Sequence, residues 1–156
     1  MPRRRTDLPP WLRVVRERPV FSTLSDVHEW FDAPVRSPHD VIGLLEPRLC
    51  AEEQELFVAV LLNGQHRVIA FTEITRGLLN ASLVHPREVF RLAIATGAAA
   101  IIVAHNHPSG DPSPSTHDRE ITKQLVAAGK LLDIPVHDHI ILGRDQYVSF
   151  AELKLL

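Results

Sequence analysis

The apolar pattern of this 156-residue chain predicts an α/β fold of the α+β kind, a mixed β-sheet flanked by helices. Three observations predict it. Glu55 to Leu62 is a near-continuous apolar run, as a central strand covered on both faces shows. Ala98 to Ala104 is a second such run, short and followed directly by a polar loop. The segments between carry the 3.6-residue apolar period of helices, so the order is helix, paired strands, helix, strand, helix, strands.

Residues 1–36 read as a partly ordered arm and residues 37–156 as one domain. Half of the 12 prolines fall within the first 38 residues, and no sustained apolar period accompanies them. A short helix is expected from Ser25 to Phe31. Ser37 then caps a better helix, with Pro38 at its first position and Val41, Leu44, Leu45 and Leu49 at helical spacing. Pro47 should kink or end it.

After the first strand, Asn63-Gly64-Gln65 supplies a hairpin turn, His66 to Ile74 returns, and residues 78–84 form a third short strand. His85-Pro86-Arg87-Glu88 opens the next helix, which Gly97 closes. Ser115 caps a helix running to about Leu131, with Ile121, Leu125, Ala128 and Leu132 on its apolar face. Pro135 to Leu142 and Gln146 to Phe150 form a closing hairpin around Gly143-Arg144-Asp145.

Composition narrows the function classes. A net charge of −2 does not favour bulk nucleic-acid binding, although Arg3, Arg4, Arg5, Arg13, Arg16 and Arg18 make the N-terminus basic. Cys50 is the only cysteine, so neither an intrachain disulfide nor a cysteine-based zinc site can form. No apolar run approaches the roughly 20 residues that span a bilayer, and no h-region follows the N-terminal arginines. A cytoplasmic location is expected.

The chemistry concentrates in one stretch, His105-Asn106-His107-Pro108-Ser109-Gly110-Asp111-Pro112-Ser113-Pro114-Ser115-Thr116-His117-Asp118. In extended chain His105 and His107 share a face while Asn106 points away. The proline-rich loop turns stiffly back, and Asp118 lies in the first turn of the next helix. Three such ligands suit Zn²⁺ and leave a coordination position open, as catalytic sites require. The same Ser-x-x-Asp run also satisfies a helix capping box, and paired histidines in a loop can simply be solvated. A hydrolytic site further needs a general base. Glu73, at the end of an apolar strand, is the first candidate and Glu88 the second, while Glu52, Glu53 and Glu55 read as an exposed acidic linker. His137-Asp138-His139 is a second H-x-H without the rigid loop. His137 reads as exposed, and Asp138 and His139 as sheet-edge residues or supports behind the ligands.

The run resembles the JAMM/MPN+ metalloprotease motif H-x-H-x7-S-x2-D and, more narrowly, the RadC family of bacterial JAB-domain proteins. The likeness extends through Leu79-Asn80-Ala81-Ser82, His85-Pro86-Arg87-Glu88-Val89-Phe90, Ala128-Gly129-Lys130-Leu131-Leu132 and Asp138-His139-Ile140-Ile141-Leu142-Gly143, over roughly residues 37–156. It implies a cytidine-deaminase-like JAB/MPN fold and one Zn²⁺ held by His105, His107 and Asp118. It also implies hydrolysis of a peptide or isopeptide bond, with Glu73 acting on the water and Ser115 stabilising the oxyanion. The implied partner is a peptide or protein substrate, ubiquitin-like or carrying a flexible C-terminal tail, and no membrane. Typical RadC-type proteins also carry an N-terminal helix-hairpin-helix region. Residues 1–36 lack its glycine-centred hairpins, so a DNA-repair role gains no support from this chain, and nucleic-acid binding through the arginine arm, or nucleic-acid cleavage, is the weaker competing function.

Overall fold

A computed structural model describes residues 33–77 and 84–156. The arm expected over 1–20 and the helix over 25–31 lie outside them, as does the short strand over 78–84 apart from Val84. The described elements are α1 (Pro38–Leu49), β1 (Leu56–Leu62), β2 (Val68–Arg76), α2 (Pro86–Thr96), β3 (Ala100–Asn106), α3 (Thr116–Leu132), β4 (Val136–Leu142) and β5 (Tyr147–Ser149). The strands form one mixed sheet in the order β2-β1-β3-β4-β5, with β3 and β4 parallel and the other neighbours antiparallel. The α/β class read from the apolar pattern is the one observed.

Helices cover both faces, which explains why β1 and β3 are buried at every residue. Alternate residues Val58, Val60, Leu62, Ile102 and Ala104 meet Val41, Leu45 and Leu49 of α1. The others, Phe57, Ala59, Leu61, Ile101 and Val103, meet Phe90 of α2 and Ile121 and Leu125 of α3. Each fully buried Leu, Ile or Phe contributes about 1.5–3 kcal/mol before its entropy cost.

Local departures have local causes. α1 runs two residues past Pro47. That proline sits in the last turn on an exposed face, and the residue four earlier is Gly43, with open space around its Cα. The turn after β1 is longer than a two-residue hairpin. The Asn63 side-chain oxygen accepts from the backbone N–H groups of Gln65 (2.9 Å) and Arg67 (3.0 Å), and His66 takes a positive φ of 57°. β2 consequently starts at Val68 and not at His66. β3 runs on through His105 and Asn106, because the backbone ladder to β4 continues there.

Candidate metal centre

Three elements deliver the site. β3 carries His105 to its carboxyl-terminal end, the loop after it carries His107, and the first turn of α3 carries Asp118. His105 Nε2 lies 3.0 Å from His107 Nε2 and 3.3 Å from Asp118 Oδ1, and His107 Nε2 lies 3.6 Å from Asp118 Oδ2. Glu55, in the residue before β1, joins them at 3.6 Å from His105 Nε2 and 3.8 Å from His107 Nε2. One atom from each of Glu55, His105, His107 and Asp118 falls within 4.8 Å of all the others.

The loop holds its shape through short bonds. The Asp111 carboxylate accepts from the Ser113 backbone N–H (2.9 Å) and hydroxyl (2.6 Å), and the Asp111 carbonyl faces His107 Nδ1 at 2.7 Å. A carbonyl only accepts, so Nδ1 carries the hydrogen and the lone pair of a neutral His107 sits on Nε2, facing the cluster. Ser115 caps α3. Its hydroxyl donates to Asp118 Oδ2 (2.7 Å) and accepts from the Asp118 N–H (3.0 Å), while its own N–H also donates to Oδ2 (2.7 Å). Ser115 therefore makes the capping box and at the same time orients the Asp118 carboxylate.

Electrostatics agree with a cation site. Burial opposes ionisation of Asp118. The neighbouring imidazoles of His105 and His107, with the Ser115 hydroxyl, outweigh it and hold the carboxyl far below the ordinary carboxylate range. The Asp118 hydrogen bond raises the His107 pKa against the pull of burial, so positive charge is drawn to the centre of this acceptor-rich group. Two imidazole nitrogens and two carboxylates, all nitrogen and oxygen donors, fit a zinc ion.

Glu73, the first candidate base from sequence, is not one of these four residues. Glu73 is exposed on β2, and both its oxygens are engaged by Arg76, from Nε and Nη2 at 3.0 Å each. Arg76 also binds Glu52. Glu88 sits in the first turn of α2 between Arg87 (3.5 Å) and Arg91 (3.4 Å). Glu55, read from sequence as exposed linker, instead keeps only 18% of its side chain exposed.

Asn106 explains its placement. The Asn106 Oδ1 accepts from the Leu56 N–H (2.7 Å) and its Nδ2 donates to the Gln54 carbonyl (3.1 Å), gripping the residues on both sides of Glu55. The two apolar runs place Glu55 only once their pairing with each other is known. Paired antiparallel, they bring the start of one to the end of the other, and Phe57 is the register partner of His105.

The second H-x-H separates into unlike halves. β4 is an internal strand, so the sheet-edge placement of Asp138 and His139 does not hold. His137 is half-buried beside His66. His139 is fully buried behind His105, and burial pushes its pKa well down, leaving it neutral.

Fold and site together define a mixed-sheet α/β protein with a His/His/carboxylate group able to hold a metal ion at a central strand end. Comparison with known proteins gives the particular family. The model of the RadC-like JAB domain matches residues 35–155, and the chain belongs to that family. It is 53% identical over 122 residues to a UPF0758 protein of Alkaliphilus metalliredigens, covering 78% of this chain and 53% of that protein. It is 49% identical over 129 residues to a UPF0758 protein of Symbiobacterium thermophilum (80% and 55%), and 42% identical over 136 residues to one of Methanosarcina acetivorans (85% and 59%). The chain thus spans a little over half the length of these relatives. Among the described residues no helix is long and apolar enough to cross a membrane.

Proposed function

We propose that the domain is a zinc-dependent peptidase or isopeptidase of the JAMM type, with His105, His107 and Asp118 holding the ion and Glu55 acting as general base. The observation that carries this is the position of Glu55. Its carboxylate stands beside both Nε2 atoms, and the Asn106 grip on its neighbours fixes the backbone beneath it. A bound zinc would supply Lewis acidity, activating water and polarising the scissile carbonyl. A base must offer a free carboxylate oxygen to the water it deprotonates. Glu73 is not one of the four residues that meet here, and its carboxylate is turned to Arg76. Ser115 holds Asp118 in place, and its single hydroxyl hydrogen becomes available to a developing oxyanion only by leaving Asp118 Oδ2. A cavity of 160 Å³ opens beside His107, lined in part by Glu46, Cys50, Glu52 and Arg144. That size supports a single side chain or a narrow flexible tail as the substrate group.

The test is zinc content together with cleavage of a peptide library. Wild type should carry zinc and cleave. Glu55→Gln should keep zinc and lose about 10²–10⁴-fold in rate, the usual weight of a general base. Glu73→Gln should cleave like wild type. Cleavage that survives Glu55→Gln and fails in Glu73→Gln would return the role to Glu73, and wild type without affinity for zinc would overturn the proposal.

A further inference from the structure

Behind the candidate ligands runs a line of buried polar atoms that the proposed reaction does not touch. His105 Nδ1 lies 2.9 Å from His139 Nε2, His139 Nδ1 lies 2.6 Å from Thr122 Oγ1, and the Thr122 hydroxyl donates to the Asp118 carbonyl at 2.5 Å. All four residues are at most 2% exposed, and the His139 ring is fixed by stacking on Phe150 and an edge contact with Phe57.

The direction of each bond follows from the last. The Asp118 carbonyl only accepts, so the Thr122 hydroxyl gives it its one hydrogen. The Thr122 oxygen is left to accept, and His139 Nδ1 must carry a hydrogen to meet it. A neutral imidazole protonated at Nδ1 is bare at Nε2, so His139 accepts from His105 Nδ1–H. His105 is then bare at Nε2, the atom that faces Glu55, His107 and Asp118. The opposite sense would leave two oxygens 2.5 Å apart with no hydrogen between them and put an N–H where a cation must bind.

We infer that Thr122 and His139 are a tautomer lock, positioning residues that keep the His105 Nε2 lone pair turned toward the metal-binding group. Asp118 is tied to both ends of the device, its carboxylate in the cluster and its carbonyl anchoring the hydroxyl that sets the tautomer. His107 is set separately, by the Asp111 carbonyl. The purpose of the lock rests on the zinc proposal, but the tautomer is a property of the metal-free chain.

Two measurements on the full chain test it. Long-range proton–nitrogen correlation spectra of the zinc-stripped protein should show His105 and His139 protonated at Nδ1. Thr122→Val, which removes the hydroxyl and keeps the shape, should abolish that pattern and weaken zinc binding by about 10- to 100-fold, the usual effect of a partner behind a ligand. Thr122→Ser should restore both. His139→Phe should weaken zinc similarly, and His139→Gln, whose amide oxygen can still accept from His105, should recover part of the loss. His105 protonated at Nε2 in the stripped wild type would overturn the inference, as would unchanged spectra and affinity in Thr122→Val. If wild type fails to bind zinc, the function proposed above falls, while the spectra still decide the lock.

Discussion

Ser115 and Asp118 show how one pair of side chains can serve the helix and the site at once. The hydroxyl caps α3 and aims a carboxylate, so its removal should be felt twice. Ser115→Ala is expected to cost about 1 kcal/mol through the lost cap. It should also cost roughly 10²–10³-fold in cleavage rate if the hydroxyl meets the oxyanion. Melting temperature and peptide cleavage on the same preparation separate the two, and loss of stability with full rate would leave the serine as a cap alone. That His105, His107, Ser115 and Asp118 come together was legible in sequence because their spacing is local, set by one strand end, one loop and one helix turn. Glu55 was not, because nothing near it in sequence distinguishes it from Glu52 and Glu53. Only its pairing across the sheet and the Asn106 side chain, 50 residues away from Leu56, put it there.

At the scale of elements, two glycines separate stability from metal binding. An added methyl at Gly129 on α3 would strike the Ile134 carbonyl oxygen and press on Phe90 of α2. Gly129→Ala should therefore destabilise by about 1–3 kcal/mol, as overpacking does, with zinc per folded molecule unchanged. At Gly143, just after β4, the methyl would strike the Gly110 carbonyl and Pro112, both in the loop that follows His107. Gly143→Ala should displace that loop and lower zinc affinity more than melting temperature. Equal effects of the two changes on zinc would show the loop to be indifferent to this contact.

Asp138 joins β4 to the chain around β5, accepting from the Ser149 hydroxyl (2.6 Å) and the Ala151 N–H (2.9 Å). Burial raises its pKa in spite of these bonds. A carboxyl that holds its proton more tightly when folded contributes stability that is present below its unfolded pKa, about 4, and lost as pH rises through the folded value. The side chain of Asp138→Asn cannot ionise, and it keeps a carbonyl oxygen to accept from the backbone N–H groups. The stability of this variant relative to wild type should therefore improve as pH rises from about 4 toward neutrality. Denaturant midpoints at several pH values check this, and a constant difference would count against it. The elements themselves were readable from apolar period and cap residues. Their ends were not, where Asn63 stretched a turn or the ladder to β4 extended β3.

For the whole molecule, the two cores on either face of the sheet are built from apolar side chains, whereas the smallest metal-dependent domains have a metal site in place of a core. Zinc should raise the melting temperature by mass action on the native state, by RT ln(1 + [Zn]/Kd), and a chelator should reverse the gain. Unfolding after chelation should stay cooperative, with far-ultraviolet circular dichroism retained. Collapse of secondary structure on chelation would make the ion part of the fold. The mixed sheet was foreseeable from the order of patterns. The one parallel pair among the described residues, β3 beside β4, follows from the α3 crossover that separates them.

The register that sets Phe57 opposite His105 also orders events in time. β1 and β3 are joined by a long stretch of chain holding β2 and α2, so their pairing must close a loop whose entropy is not recovered by any local contact. Glu55 cannot reach His105 until that closure is made, and His139 cannot back His105 until α3 has crossed over and β4 has docked. Local hairpin and helix contacts alone leave these residues apart. A metal ion meeting the chain early finds isolated histidines and acids with no shared geometry. The four residues that could hold an ion therefore meet only once the sheet has closed in the correct register.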